Sequence, residues 1–228
     1  MSDLDRYKRQ AALAAVDQVT SGTVVGLGSG TTAGHAVTEI AARLDDGRLS
    51  DVRGIPSSAA TEALASRLGI PLVDPGPDDV VAVAIDGADE IAPDLSLIKG
   101  GGGAMLRERI VASLAEAFVV VADHTKLVPK LGTGAAVPLE VTPFGVASTL
   151  ARLASHGEPA IRADGDRPYV TDNGNLVVDL ATGPIADPDA MDAALRAVPG
   201  VLATGLFVAM ADLVIVAGPD GLVTLMAR

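Results

Sequence analysis

Val80-Val81-Ala82-Val83-Ala84-Ile85 leads directly into Asp86-Gly87-Ala88-Asp89-Glu90; after a short spacer, Lys99 opens Gly100-Gly101-Gly102-Gly103-Ala104-Met105-Leu106-Arg107-Glu108. The unbroken apolar hexapeptide has the character of a strand buried on both faces, as parallel strands are beneath their crossover helices. Open parallel sheets place ligand chemistry at the carboxyl ends of their strands, where Asp86 and Asp89 fall. Four consecutive glycines let the backbone approach a ligand closely and turn its N–H groups toward it. From Gly103 the spacing of Met105, Ile110, Leu114 and Ala117 is helical, so Glu108 lies about a turn and a half into a helix. Acids, a cation and a row of amides thus surround one strand end and one helix start, the pattern of an active site. Aspartate is also a common turn residue, and Glu108 would be an ordinary exposed helix position unless the glycine run folds back toward the Asp86 loop. Glu90 reads as solvent-facing or as a cap.

Upstream, an amphipathic helix over 4–19 precedes a strand at 23–27, a loop Gly28-Ser29-Gly30-Thr31-Thr32-Ala33 and a helix to about Leu44. A strand at 52–55, a helix at 59–68 and a strand at 70–73 follow, and a strand at 117–122 closes the helix after the glycine run. Strands alternating with helices predict a mostly parallel Rossmann-like α/β sheet with helices on both faces. After Leu131 the order changes. A strand at 137–141, a helix capped by Thr142 with Pro143 at its first position, strands at 160–163, 169–170 and 176–180, a helix from Asp187-Pro188 and a strand at 201–203 follow the split β-α-β plan of a small α+β ferredoxin-like domain. The expected division is a Rossmann-like catalytic domain of 1–131 and 206–228, with 132–205 as the smaller domain.

Composition narrows the function classes. Hydrophobic residues make up 49% of 228 positions but aromatics only 2%, so the core is built from Ala, Val, Leu and Ile. The net charge of −12 without a basic cluster argues against a nucleic-acid or anionic-membrane surface. Cysteine is absent, which removes disulfides and thiolate chemistry, and three scattered histidines make no metal site. The N-terminus lacks a signal-peptide core, and the apolar stretch 198–218 is broken by Pro199, Gly200, Gly205 and Asp212, so a cytoplasmic protein is expected. Only four of the 17 basic residues are lysines: Lys8, Lys99, Lys126 and Lys130. Where arginine serves as the default surface cation, a lysine is wanted for its compact, tunable ammonium.

The loop at 28–33 fits Gly-x-Gly-x-x-Ala, a dinucleotide fingerprint that is weak alone. A nicotinamide site also wants an acid at the end of the second strand, and here Ile55-Pro56-Ser57-Ser58 offers none. The hydroxyls of Ser29, Thr31 and Thr32 suit a phosphate or sugar, with helix N-terminal amides attracting the anion; the same loop also serves as a tight turn with ordinary caps.

Taken in order, Gly28-Ser29-Gly30-Thr31-Thr32, Pro56-Ser57-Ser58 with Thr61, Asp86-Gly87-Ala88-Asp89-Glu90, Lys99 with the glycines through Arg107-Glu108, and Ala122-Asp123-His124-Thr125-Lys126 closely resemble the A-type ribose-5-phosphate isomerase family. Pro143-Phe144-Gly145, Asn173-Gly174-Asn175 and Gly205-Leu206-Phe207 extend the resemblance over essentially the whole chain. Thr125 stands where the family pattern leads one to expect Ser, which keeps the hydroxyl. The resemblance implies interconversion of ribose 5-phosphate and ribulose 5-phosphate with no metal or organic cofactor. It implies Glu108 as the proton-transferring base, with Asp86, Asp89 and Lys99 around the reacting carbons. Ser29, Gly30, Thr31, Thr32, Gly87, Ala88, the backbone of Lys99, Gly100, Gly101 and Gly102, and Lys126 are implied as substrate-binding, with Lys8 near the phosphate. The expected partner is a small sugar phosphate, with neither nucleic acid nor membrane, in a homodimer or homotetramer.

The chemistry of the residues agrees. Moving a carbonyl from C1 to C2 removes a proton from C2 and returns it at C1, which one carboxylate held over both carbons can do. The enediolate needs preorganised donors, and Lys99 and the glycine-run amides are such donors. An aspartate can shuttle the proton that opens the furanose; the sequence leaves open which one. Two other classes share this architecture. A sugar-phosphate-sensing regulator would need a DNA-binding domain before the first strand, for which residues 1–22 leave no room. An acyl-CoA transferase would use its glutamate as a nucleophile and require CoA.

Overall fold

The computed structural model describes residues 2–76 and 80–226. In chain order the helices are α1 (Asp3–Val16), α2 (Gly30–Asp45), α3 (Ala59–Arg67), α4 (Met105–Leu114), α5 (Val146–Leu153) and α6 (Pro188–Arg196). The strands are β1 (Val24–Leu27), β2 (Arg53–Pro56), β3 (Val81–Gly87), β4 (Glu90–Ile91), β5 (Leu97–Ile98), β6 (Phe118–Asp123), β7 (Val137–Val141) and β8 (Glu158–Ile161), then β9 (Ala163–Asp164), β10 (Arg167–Pro168), β11 (Leu176–Ala181), β12 (Val201–Thr204), β13 (Leu206–Phe207), β14 (Leu213–Gly218) and β15 (Gly221–Met226). Two compact units result, one of Met1–Gly87, Arg107–Lys126 and Met210–Arg228, the other of Ala88–Leu106 and Leu127–Ala209.

The first unit holds a six-stranded sheet in the order β15-β14-β6-β3-β1-β2, parallel except for β15, which returns antiparallel along β14. From β1 the chain steps outward to β2, then crosses back over β1 to β3 and continues to β6. The winding direction therefore reverses between β1 and β3, and open sheets bind ligands at such a reversal. Val25, Leu27, Val83, Ile85, Val119 and Val121 fill the core beneath Ala11, Ala15, Ala36, Val37 and Ile40. Small helix residues permit close packing on the sheet, and Gly26 does the same from the strand side. A Cβ on Gly26 would sit 2.6 Å from Val111 Cγ1 and 2.7 Å from Ala84 Cβ, so α4 lies against β1 and β3 only because that atom is absent.

Two expectations for this unit change. The strand expected at 70–73 is a single bridge pairing Leu72 with Gly54, because Pro71 has no N–H to continue a ladder. On α4 the apolar position Ile110 faces solvent, while Met105, Glu108, Val111 and Ala112 are buried.

The second unit carries a four-stranded antiparallel sheet in the order β12-β7-β11-β8, with α5 between β7 and β8 and α6 between β11 and β12. That is the ferredoxin-like order, with the β9–β10 hairpin inserted around Gly165. Leu139, Val141, Leu153, Val178, Leu180 and Leu195 form its core. A small sheet, β13-β5-β4, was not anticipated; its two-residue strands are too short to show a period. Leu206 pairs with Ile98, and both lie in one core with Ala92 and Leu131. These contacts group residues 88–106 with 127–209, where the sequence division had put them with the Rossmann-like domain. Helix α5 begins at Val146, not at Pro143, because Gly145 between them is left-handed (φ 73°) and breaks a helical run.

Candidate active site

At the carboxyl edge of the first unit, the Gly28 N–H donates to the Ile85 carbonyl at 2.9 Å, so β1 and β3 stay paired up to the reversal point. Strand β3 runs two residues beyond Ile85, which places Asp86 at the strand end itself. Its Oδ1 accepts from Ser29 N at 2.9 Å and from Gly87 N at 2.7 Å, and the residue is 4% exposed. The loop after β1 and the end of β3 are thereby tied through one carboxylate. A Cβ on Gly28 would collide with the Ile85 carbonyl and with Asp86, which explains a glycine there.

The Ser29 hydroxyl, expected at the substrate, turns into a cluster. It lies 2.8 Å from both Ser57 Oγ and Ser58 Oγ and 3.3 Å from Thr61 Oγ1, while Thr61 Oγ1 donates to the Gly28 carbonyl at 2.9 Å. Pro56-Ser57-Ser58 with Thr61 thus buttresses the first loop from the side of β2 and α3. Helix α2 begins at Gly30 with no side-chain cap from Ser29, which leaves its first N–H groups to an anion. Thr31 is exposed beside them, its Oγ1 accepting from Lys8 Nζ at 3.2 Å. Lys8 therefore stands at this helix end. Lys126 closes a short 3-10 turn, His124–Lys126, after β6, the neighbour of β3. Asp123 fixes that turn by accepting from the Thr125 amide (3.0 Å) and hydroxyl.

Glu108 is 5% exposed. Val111 on the same face of α4 packs over Gly26. One turn earlier, about 4.5 Å along the axis, Glu108 lies nearer the carboxyl edge formed by Gly28 and Asp86. Its burial removes the alternative of an ordinary exposed helix residue.

In the second unit the glycine run does fold back. Gly101 N donates to Asp89 Oδ2 at 2.8 Å, and the Asp89 amide bonds the Ile98 carbonyl at 2.7 Å. Lys99 is 2% exposed, with its ammonium 5.4 Å from the centre of the Phe207 ring and its amide bonded to Gly205 O. Gly100 and Gly103 adopt positive φ (98° and 78°), closing a turn in which Gly103 N donates to Gly100 O. Gly101 and Gly102 are exposed at its tip, and Ala88 is half-buried. Two residues that sequence reasoning did not single out hold this turn from outside, Arg162 and Tyr169. Glu90 is neither solvent-facing nor a helix cap. It is 3% exposed and accepts from Gly132 N, Gly134 N and Ala135 N at 2.6–2.8 Å, so it organises the 132–135 loop. An acid buried against three glycine-rich amides leaves only the Gly-Thr-Gly spacing as a trace in sequence.

Among the described residues no group of His, Asp and Glu side chains could hold a metal ion, and no helix is long and apolar enough to cross a membrane. The groups present can exchange protons, bind an anion at a helix N-terminus and donate hydrogen bonds from backbone amides.

Residues 53–221 match the family model of ribose 5-phosphate isomerase A (phosphoriboisomerase A). The chain is 52% identical over 221 residues to ribose-5-phosphate isomerase A of Roseiflexus castenholzii, covering 96% of this chain and 94% of that one. It is 45% identical over 222 residues to the Deinococcus radiodurans protein of the same name, covering 96% and 97%. Among solved structures, ribose 5-phosphate isomerase from Plasmodium falciparum superposes with a TM-score of 0.95 at 36% identity, over 98% of this chain and 99% of that one. A D-ribose-5-phosphate isomerase in complex with phospho-erythronic acid superposes at 0.96 and 34% identity, over 99% and 100%.

Proposed function

The chain belongs to the ribose 5-phosphate isomerase A family, and from that premise we propose how its residues interconvert D-ribose 5-phosphate and D-ribulose 5-phosphate through an enediolate. Glu108 is the base that takes the C2 proton and returns it at C1. Burial supports this role, since a carboxylate shielded from water keeps its proton from exchanging away before it is returned. Lys99 and the amides of Gly100 and Gly102 stabilise the developing oxyanion as preorganised donors, while the Gly101 amide holds Asp89 in place. Asp86 and Asp89 attend the sugar hydroxyls and the ring-opening proton. Asp86 also fixes the loop after β1 through Ser29 N, so its role is double.

The phosphate goes to the uncapped start of α2, with the Gly30, Thr31 and Thr32 backbone, Lys8 and Lys126 as its cations. Ser29 contributes by holding the loop, because its hydroxyl is engaged with Ser57 and Ser58. In a protein of net charge −12 a doubly charged substrate depends on this local supply of positive charge. A cytoplasmic homodimer or homotetramer belongs to the same proposal. Leu222, Val223 and Met226, exposed along the edge strand β15, are surface that a second copy would cover.

The observation that carries the reading is the acid-lined reversal point: Asp86 tied to the first loop, beside an uncapped helix start that Lys8 has already approached. The direct test is formation of ribulose 5-phosphate from ribose 5-phosphate by the purified protein in the presence of EDTA. Activity that vanishes with the chelator and returns with a divalent ion would contradict the proposed metal-free mechanism.

A further inference from the structure

The glycine turn is held by its carbonyls. Arg162 Nη1 donates to Gly100 O at 3.1 Å and to Gly101 O at 2.9 Å, and Tyr169 Oη donates to Gly102 O at 2.9 Å. Three successive peptide oxygens are thus drawn to one side. A trans peptide is planar, with its N–H opposite its C=O. Fixing the Gly100 oxygen therefore fixes the direction of the Gly101 N–H, which points at Asp89 Oδ2 as this requires. Fixing the Gly101 oxygen does the same for the Gly102 N–H, which has no protein acceptor among the described residues.

The guanidinium is itself locked. Asp179 takes the other edge of the fork, accepting from Nε at 2.9 Å and Nη2 at 2.5 Å, so only Nη1 faces the turn. The guanidinium lies 5.9 Å from the Tyr169 ring centre. The turn in turn needs the tyrosine's room: a Cβ on Gly103 would fall 2.7 Å from Tyr169 Cζ and Oη. Nothing in this arrangement requires Arg162 or Tyr169 to touch a ligand.

We propose that Arg162 is a positioning residue, which aims the Gly102 amide by gripping the Gly101 carbonyl of the same peptide and fixes the neighbouring Gly101 amide on Asp89, while Tyr169 braces the turn through the next peptide, so that the Gly102 donor of the oxyanion site is held in place before substrate arrives. This rests on reading the Gly102 amide as a donor to the enediolate. Without the clamp, each peptide could rotate its carbonyl toward the substrate, replacing a donor by an acceptor where negative charge develops.

The test uses Arg162→Met, Arg162→Lys and Tyr169→Phe in the full chain, with kcat, KM for ribose 5-phosphate, melting temperature, and inhibition by phospho-erythronic acid. The carboxylate of that acid carries planar negative charge like the enediolate. Removing an oxyanion donor outright costs about 10²–10³ in kcat, so loosening one in Arg162→Met should cost roughly 10–10². KM should stay within about threefold, and the inhibition constant should weaken in step with kcat. Arg162→Lys should recover part of the loss, since an ammonium still reaches one carbonyl. Tyr169→Phe, which removes a single hydroxyl and keeps the ring, should lose less than Arg162→Met in the same pattern. A merely structural clamp gives the opposite result, a lower melting temperature with kcat and inhibitor affinity within about twofold of wild type, and that overturns the proposal. If the wild-type protein does not isomerise ribose 5-phosphate, the oxyanion reading fails first and takes the clamp with it; wild-type activity with unaffected variants refutes the clamp alone.

Discussion

Gly28→Ala is the smallest change that should damage the carboxyl edge of the sheet. The added Cβ would lie 2.5 Å from Asp86 Cα and closer still to the Ile85 carbonyl oxygen and Asp86 Oδ1. Ordinary carbon–carbon contact is about 3.5–4.0 Å, so β1 and β3 must separate by about 1 Å at this point. Two of the three obstructing atoms are backbone, and no rotamer change relieves them. Two hydrogen bonds are strained at once, Gly28 N to Ile85 O and Ser29 N to Asp86 Oδ1, each 2.9 Å in the native protein. Overpacking costs about 1–3 kcal/mol and the charge-assisted bond adds about 1.5–3, so a loss of about 3–5 kcal/mol is expected. For a chain of this length that lowers the melting temperature by about 10 °C. Displacing Asp86 and the Ser29 loop by 1 Å should also reduce kcat/KM by about 10². Thermal unfolding and initial rates of ribulose 5-phosphate formation read the two effects. Gly22→Ala is the control. Its φ is 80° with nothing within 4 Å of the new Cβ, so it should cost about 1 kcal/mol of strain and leave the rate unchanged. A Gly28→Ala protein with wild-type melting and a rate within about threefold would refute the packing argument.

Lys126→Ala should raise KM for ribose 5-phosphate while leaving any turnover of unphosphorylated ribose little changed; an equal proportional loss on ribose would show that Lys126 does not serve the phosphate. Glu90→Gln places an NH2 against the N–H groups that now share a carboxylate, costing about 2–4 kcal/mol and about 4–15 °C in melting temperature; unchanged melting would mean the 132–135 loop does not depend on it. Glu39, hydrogen-bonded to Arg43 and also bonded to Arg48, is held below the ordinary glutamate value of 4.5. The folded state therefore binds this proton less readily than the unfolded chain, and the stability it contributes is present above that value and lost as pH falls through the depressed one. The denaturation midpoint of Glu39→Gln should lie below wild type at pH 7 and converge with it on acidification; a gap constant from pH 6 to pH 3 would contradict the ion pair.

How much of this was legible in the sequence follows from the range of each interaction. The apolar run ending at Asp86, the glycine loops and the Asp187-Pro188 helix start are local signals, and the elements they announce are where the spacing puts them; Asp187 does cap α6, accepting from Ala190 N at 3.0 Å. Glu108 was legible as a candidate, but its burial depends on Gly26 admitting Val111, a contact 85 positions apart in sequence. The sheet β13-β5-β4 joins segments from opposite halves of the chain through strands of two residues, and no periodicity can reveal that. Glu90, Arg162 and Tyr169 act on backbone amides and carbonyls, which look alike in every residue and so leave little trace in composition or spacing. Ser29 was placed at the substrate by its motif. That its hydroxyl lies 2.8 Å from both Ser57 Oγ and Ser58 Oγ is a contact between distant segments that no local spacing shows.

If one buried carboxylate moves the proton between C2 and C1, the turnover number of Glu108→Gln shows it. Glutamine keeps the shape and the hydrogen bonding but accepts no proton, so kcat should fall by at least about 10²–10⁴, with binding of ribose 5-phosphate largely retained. A folded Glu108→Gln protein that turns over at near the wild-type rate would rule out Glu108 and move the base to Asp86 or Asp89.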